Sequence, residues 1–347
     1  MFLSLALFTS GARAFLTGTT KSILRNILRR LCRTVWIACV LLLTLCVFNY
    51  PRIWWQEAIN SLALLWGPLL LISIGIEIRG MFRRRVTVYR SISLALQVAC
   101  CFSVISIVIP YITYSKNNGR DLGYSAPISI LLVDDSARGL TTTEGAPLPT
   151  SDIVVIVGSM QGHTVHVEND GELPYAVQSA SEREPKVEIR SRFPFNDTAK
   201  RDVGYKALPA VFGTFAVSEG TFLEIGAFDL KPSLSQEDFV ASRLTSRRIA
   251  TLLRFSTTPR MVLGAFHAPI TSQIVDMYPD QVRLKSVLFN QGISGLWRRI
   301  KEVFSWGSAL NAFVAKNIIL ERVTEYEYER DGWRGISFVA RVPLKNN

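Results

Sequence analysis

The chain has 347 residues, room for one large domain and a smaller appendage. It carries 39 Lys+Arg against 28 Asp+Glu, but the first 114 residues hold 12 of the basic residues against only Glu57 and Glu77, so the remainder is close to neutral. That distribution excludes a nucleic-acid footprint on the C-terminal two-thirds, which would place basic clusters on the folded domain.

Residues 1–14, MFLSLALFTSGARA, end a short apolar run with Ala-Arg-Ala as a signal peptide would. No basic residue precedes the run, so it reads as a membrane-associated leader or an over-extended start. Residues 1–33 form a basic N-terminal segment with Lys21, Arg25, Arg29, Arg30 and Arg33. Three uncharged apolar stretches follow, 34–50, 58–76 and 91–115. Each approaches the roughly 20 residues that cross a hydrocarbon core of about 30 Å, and together they predict a three-helix transmembrane anchor. Trp54, Trp55, Tyr111 and Tyr114 stand at the edges, as interfacial aromatics do. Arg79, Arg83, Arg84, Arg85 and Arg90 fill the second loop, while the first has only Arg52. By the positive-inside rule, residues 1–33 are expected in the cytoplasm and everything beyond the linker 116–124 on the far side. The expected localisation is therefore a bacterial inner membrane, with the bilayer as a partner and residues 125–347 as a periplasmic domain.

All five cysteines (Cys32, Cys39, Cys46, Cys100 and Cys101) lie within the first 101 residues. The C-terminal domain accordingly has no disulfide, no cysteine-bound metal and no cysteine nucleophile.

Within that domain, SAPISILLV (125–133) and SDIVVIV (151–157) have the Ile/Leu/Val density of buried strands. KVEIRSRFPF (186–195) alternates until Pro194, and TFLEIGAFDL (221–230) is a further strand. From 236 to 255, Phe239, Leu244, Ile249, Leu252 and Leu253 favour one helical face. A strand at 261–266 follows, and Ile274–Tyr278 starts another helix. The segments 309–315, 319–329 and 335–344 are strand-like, with EYEYER (325–330) an exposed-face alternation. Many strands with few helices predict two packed sheets with helices outside.

The segment RMVLGAFHAPITS (260–272) reads as a buried strand running into a shaped turn, at the strand end where α/β folds keep their ligands. Its turn offers no carboxylate, only Ala265 and His267. Here the order of pieces resembles the endonuclease/exonuclease/phosphatase superfamily over Ser125–Leu344. SDIVVIV resembles that family's Pro/Ala-Asp-Val-Val strand, RSRFPF its Ser-Arg-x-Pro segment and FDLKP (228–232) its His-Leu-x-Pro. VLGAFHAPITS resembles its Gly-Asp-Phe-Asn-Ala-x-Pro-x-Ser hallmark. The resemblance implies an α/β fold, a four-layer sandwich of two packed mixed sheets. It also implies Mg²⁺-dependent phosphoester hydrolysis, with a Glu and an Asn or Asp holding the metal and Asp and His groups moving protons.

Carried over position by position, that chemistry is missing. Gly158 stands where the metal Glu is expected, and Asp229 where His-Leu-x-Pro has its His. Ala265 and His267 replace the hallmark's Asp and Asn. Asn311 and Ala312 replace an Asp-His, and Trp333, Arg334 and Gly335 a final Ser-Asp-His. Only Asp134 or Asp135 substitutes plausibly, for the first strand's Asn. The resemblance so read implies a pseudoenzyme: a membrane-tethered binding or scaffold module for a protein or phosphate-containing ligand, with no metal site and no cofactor. The alternative is a divergent Mg²⁺-dependent hydrolase rebuilt around Asp135, Asp229 and His267.

Two other constellations carry little. His163 and His166 in QGHTVHVEND, with Glu168 and Asp170 nearby, would have to be gathered with a third ligand to hold zinc; two histidines three apart in a loop read as solvated. No Gly-x-Ser-x-Gly elbow or phosphate-cradling Gly-x-x-x-x-Gly-Lys occurs.

Overall fold

The computed structural model of the chain describes residues 24, 27–28, 31–32, 34–39, 63–83, 88–113, 123–124, 126–135, 149–159, 170–179, 186–196, 201–202, 208–232, 235–267, 273–287, 310–327 and 334–344. Its internal contacts divide it into two units, Met1–Asn49 with Gly67–Ser103, and Tyr50–Trp66 with Val104–Asn347.

The first unit corrects the expected anchor. Helix α1 spans Ala63–Arg83 and α2 spans Val88–Thr113, in place of the expected 58–76 and 91–115; most of 34–50 lies outside the described residues. Among the described residues no helix is long and apolar enough to cross a membrane. The helical frames take in polar groups that the sequence windows left at their edges. Glu77, Arg79 and Arg83 lie inside α1 and Arg90 inside α2, where buried Gln97 also donates to Ser93 Oγ at 3.0 Å. The three-helix anchor, and the inner-membrane localisation built on it, are therefore withdrawn.

The second unit contains two six-stranded mixed sheets. In chain order the strands are β1 Ile128–Asp134, β2 Ile153–Ser159, β3 Tyr175–Gln178, β4 Lys186–Ser191, β5 Arg201–Asp202, β6 Ala210–Ser218, β7 Thr221–Asp229, β8 Arg260–Ala265, β9 Leu284–Ser286, β10 Leu310–Ala315, β11 Ile319–Glu327 and β12 Arg334–Arg341. The first sheet has the order β11-β12-β1-β2-β4-β3, and the second β5-β6-β7-β8-β10-β9. In each, one parallel pair sits at the centre, β1 with β2 and β7 with β8.

Side-chain alternation explains how the sheets face each other. Ile128, Ile130 and Leu132 of β1 and Ile153, Val155 and Val157 of β2 join the main core. Their odd-and-even neighbours Leu131, Val133, Val154 and Ile156 form a separate cluster on the outer face with Leu173 and Tyr326. The described residues show two packed sheets with helices on the second, and the expected four layers are not all among them. Beyond β4 the backbone crosses over: Asn196 N donates to Thr214 O and Ala216 N to Pro194 O, both at 2.9 Å, tying the first sheet's chain to β6.

Helices α3 (Gln236–Arg254) and α4 (Gln273–Gln281) cover the far side of the second sheet. Ser235 caps α3 by accepting from Asp238 N, with Glu237 and Asp238 in the first turn and Arg254 in the last, as the helix dipole favours. Its buried face is rich in small residues (Ala241, Ser242, Thr245, Ser246 and Ala250), so α3 packs closely on sheet and neighbouring helix. Ser246 Oγ donates to Ile274 O at 2.9 Å and lies 2.8 Å from the Tyr278 hydroxyl, locking α4 in place. Burial pushes the Tyr278 phenol far above its ordinary range.

Candidate functional site

The two parallel pairs end side by side. Asp134 pairs with Val157 at the end of β1 and β2, and Asp229 with Ala265 at the end of β7 and β8. Alternation sets Asp134 on the inward face with Leu132, and Asp229 on the inward face of its own sheet with Ala227 and Ile225. Both carboxylates are buried, and the Asp134 charge acts on Asp229. Ala265 is inward too, in step with Met261 and Leu263. Two residues on, His267 adopts a left-handed backbone with φ 44°, and its Nε2 lies 3.4 Å from Asp229 Oδ1. His267 Nδ1 has no hydrogen-bond partner among the described residues.

Burial is the main force on Asp229, pushing its carboxyl above the ordinary range. The hydrogen bond and charge of His267 oppose that push, and Asp134 reinforces it. A raised carboxyl means that the native state holds a proton the unfolded chain releases. The associated stability is present below the ordinary carboxylate range and is lost as pH rises through the raised value. Urea midpoints measured from about pH 4 to pH 8 should therefore fall less steeply in Asp229→Asn than in the parent. Equal slopes would show that Asp229 titrates as an ordinary carboxyl.

Of the other expected positions, Asp135, Gly158 and Arg334 belong to the same strand end as Asp134, whereas Asn311 faces the helices. Asp135 is buried one step beyond the strand, its N–H donating to Val157 O at 2.8 Å. Gly158 sits at the irregular end of β2 with φ 76°, a conformation that L side chains rarely adopt. Asn311 pairs with Gly264 and lies on the helix-facing side, in step with Phe313. Its Oδ1 accepts from Ser286 Oγ and from Ala312 N, a structural role. Leu310 is the residue that β10 places opposite Ala265. Strand register sets Arg334 across from Asp134. His163 and His166 lie outside the described residues.

The motif residues that do match serve the scaffold. Asp152 accepts from Ser129 N at 2.8 Å and pairs with Arg192 at 2.8 Å, joining the starts of β1 and β2 to the end of β4. Ser191 Oγ accepts from Phe193 N. A side chain on Gly264 would strike the carbonyl oxygen of Phe228 on the neighbouring strand. Phe266 is buried among Phe228, Tyr278 and Phe313.

No family model and no curated protein matches the chain. Solved structures do resemble it. The catalytic domain of human Nocturnin, with a bound sulfate, is similar at 13% identity and a TM-score of 0.46, covering 63% of this chain and 97% of that one. An endonuclease/exonuclease/phosphatase from Beutenbergia cavernae is similar at 10% identity and a TM-score of 0.45, covering 63% and 72%. A protein of the same family from Bacteroides thetaiotaomicron is similar at 11% identity and a TM-score of 0.39, covering 63% and 100%. The two-sheet architecture stands on the strand order and register given above, independently of these likenesses.

The described part of the site offers few ligands for a divalent metal. Among the described residues no group of three or more His, Cys, Asp or Glu is placed to hold one. Mg²⁺ demands near-octahedral oxygen ligands. The described strand ends supply Asp134, its neighbour Asp135 and Asp229, the last already engaged by His267.

A second polar cluster went unforeseen, at the opposite end of β7 and β8. Glu224 is pushed up by burial, against hydrogen bonds from Ser256 and Thr258 and the charge of Arg260. Arg260 donates to Ser256 O and to Val282 O. This cluster ties the α3–β8 turn to the sheet. The only sequence signal was an acid and an arginine near strand starts, which also describes solvated charges.

Proposed function

We propose that the sandwich is a non-catalytic domain of the endonuclease/exonuclease/phosphatase type that acts as a binding or scaffold module. The pairing of Asp229 with Ala265 carries this reading. Where the resemblance expects the hallmark acid, the chain has a buried methyl group. The division of labour among the motif residues supports it: those that match hold strands and turns together, whereas those that differ stand at the chemical positions. Two inward carboxylates weigh against a phosphate as the occupant, because like charges would meet. A protein partner is therefore the favoured occupant.

The test is hydrolysis by the full chain of DNA, phosphoinositide and sphingomyelin-type substrates with Mg²⁺ or Mn²⁺. We expect no turnover above a blank. Each lost acid–base or charge-stabilising group costs on the order of 10²-fold or more, and several are missing at once. The Asp229–His267 pair favours a second reading, a hydrolase rebuilt on these residues with Asp135. Turnover abolished by Asp229→Ala, but not by a distant surface change, would establish that reading and overturn ours.

A further inference from the structure

We propose that the outer face of α3 is a docking surface for an acidic protein segment, one that offers carboxylates together with an apolar side chain. This surface is separate from the strand-end site, and the inference does not rest on the reading of that site.

The basis is how α3 divides its residues. Its buried face, apolar and small, packs on the sheet and on α4. From Phe239 to Arg254 the helix holds four arginines, Arg243, Arg247, Arg248 and Arg254, and no acid; Glu237 and Asp238 stand in the first turn. At 3.6 residues per turn, Arg243, Arg247 and Arg254 fall within an arc of about 40°, with Phe255 and Arg248 about 80° and 100° from Arg247 on one side. Arg247, Arg248 and Arg254 are exposed and Arg243 is half-buried. A solvated helix face ordinarily sets acids three or four residues from its bases. The α3 arginines have no acid at that spacing. Arg247 and Arg254 form no ion pair with a described residue.

Two rings sharpen the surface. Phe255, the C-cap residue, is 78% exposed, and the Arg254 guanidinium lies 5.5 Å from its ring centroid. The Arg243 guanidinium lies 5.7 Å from the Phe239 ring centroid. Stacking steadies a guanidinium plane, whose fork of donors matches a carboxylate at two points; an ammonium group has no such fork. The helix uses arginine only, with no lysine. An exposed aromatic among arginines is also the composition of binding hot spots between proteins. A nucleic acid would need a basic field wider than one helix, and the C-terminal two-thirds of the chain is close to neutral. Carboxylates beside one apolar residue complement both the arginines and Phe255.

The experiment is fluorescence anisotropy of a labelled oligo-Glu peptide with one central Phe, titrated with the full chain at about 50 and about 200 mM NaCl. The control peptide has Gln in place of every Glu. We expect the Glu peptide to bind at least about tenfold more tightly than the control, with an affinity that falls as salt rises. Arg247→Ala combined with Arg254→Ala should weaken it at least about tenfold, and Phe255→Ala at least about threefold. Both variants change exposed side chains, so their melting temperatures should stay within about 2 °C of the parent. Residues 1–33 are basic as well, so peptide binding that the α3 variants leave unchanged would overturn the proposal. So would a Glu peptide that binds no better than the control. Tighter binding through the same arginines of phosphatidylserine vesicles, or of a single-stranded RNA, would overturn it too. Hydrolytic turnover, by contrast, would sink the non-catalytic reading of the strand-end site and leave this proposal standing.

Discussion

Phe266→Ala is expected to lower the free energy of unfolding by about 3–5 kcal/mol, the range for truncating a buried phenylalanine. The residue follows β8 directly and is 1% exposed. Its ring meets Phe228 at 4.7 Å, Phe313 at 5.4 Å and Tyr278 at 5.7 Å between centroids, all edge-on. Edge-to-face pairs add to the value of the buried area. The neighbours come from β7, β10 and α4, so a cavity here loosens three elements at once. Tyr278 cannot swing in to fill it, because its hydroxyl is engaged at Ser246. Urea unfolding with an unchanged m-value is the measurement. A loss under about 1 kcal/mol would mean that the cluster collapses onto the gap, or that Phe266 is not buried.

Gly264→Ala should be comparably damaging for the opposite reason. Phe228 and Gly264 are direct partners in the β7–β8 ladder. An added methyl would fall on the Phe228 carbonyl oxygen, with the Phe228 ring at 3.1 Å on the same side. A ring can turn aside, but a backbone oxygen inside a parallel ladder cannot move without breaking its hydrogen bonds. Overpacking of this kind costs typically 1–3 kcal/mol and occasionally more; against backbone we expect about 3 kcal/mol or failure to fold. Thermal unfolding or soluble yield reads the effect. A variant as stable as the parent would refute the close approach of the two strands. Gly226→Ala is the milder control, since its methyl would meet the Ile249 side chain on α3, which has some freedom to shift.

These two sites show what the sequence made legible. Strands β1, β2, β4, β7, β8, β10, β11 and β12 and helix α3 were all readable as runs of Ile, Leu and Val or as an apolar helical face. The turn after β8 was recognisable because Gly264 and Phe266 are demanded by packing, and packing leaves a strong residue signature. Strand β6 was missed, although Val211, Phe212, Phe215 and Val217 are apolar and Glu219-Gly220 forms a turn, with Gly220 at φ 67°. Gly213 interrupts its pattern, lying close beside the Phe215 ring. Strands β3 and β9, at four and three residues, are too short to show a period.

Site residues were harder to read, for reasons of direction rather than composition. Asp134 and Asp135 are adjacent acids, and only strand register reveals that Asp134 faces the second sheet. Asn311 matched a chemical position by order, yet its side chain is turned toward Ser286 on the other face. The Asp229–His267 contact joins residues 38 positions apart and depends on a left-handed residue that no pattern announces. The expected anchor failed because apolar windows were counted without the helical frame, which draws Glu77, Arg79 and Arg83 into α1.

The central claim is that the ends of β1, β2, β7 and β8 hold no metal and run no metal chemistry. It is tested most directly by a crystal of the chain soaked with Mn²⁺ and a phosphodiester analogue, with anomalous scattering measured at the manganese edge. The account predicts no anomalous peak within about 3 Å of the Asp134 or Asp229 carboxylates, with His267 still beside Asp229. A manganese ion bridging Asp134 and Asp229, with His267 displaced and the analogue's phosphate bound to the metal, would contradict it.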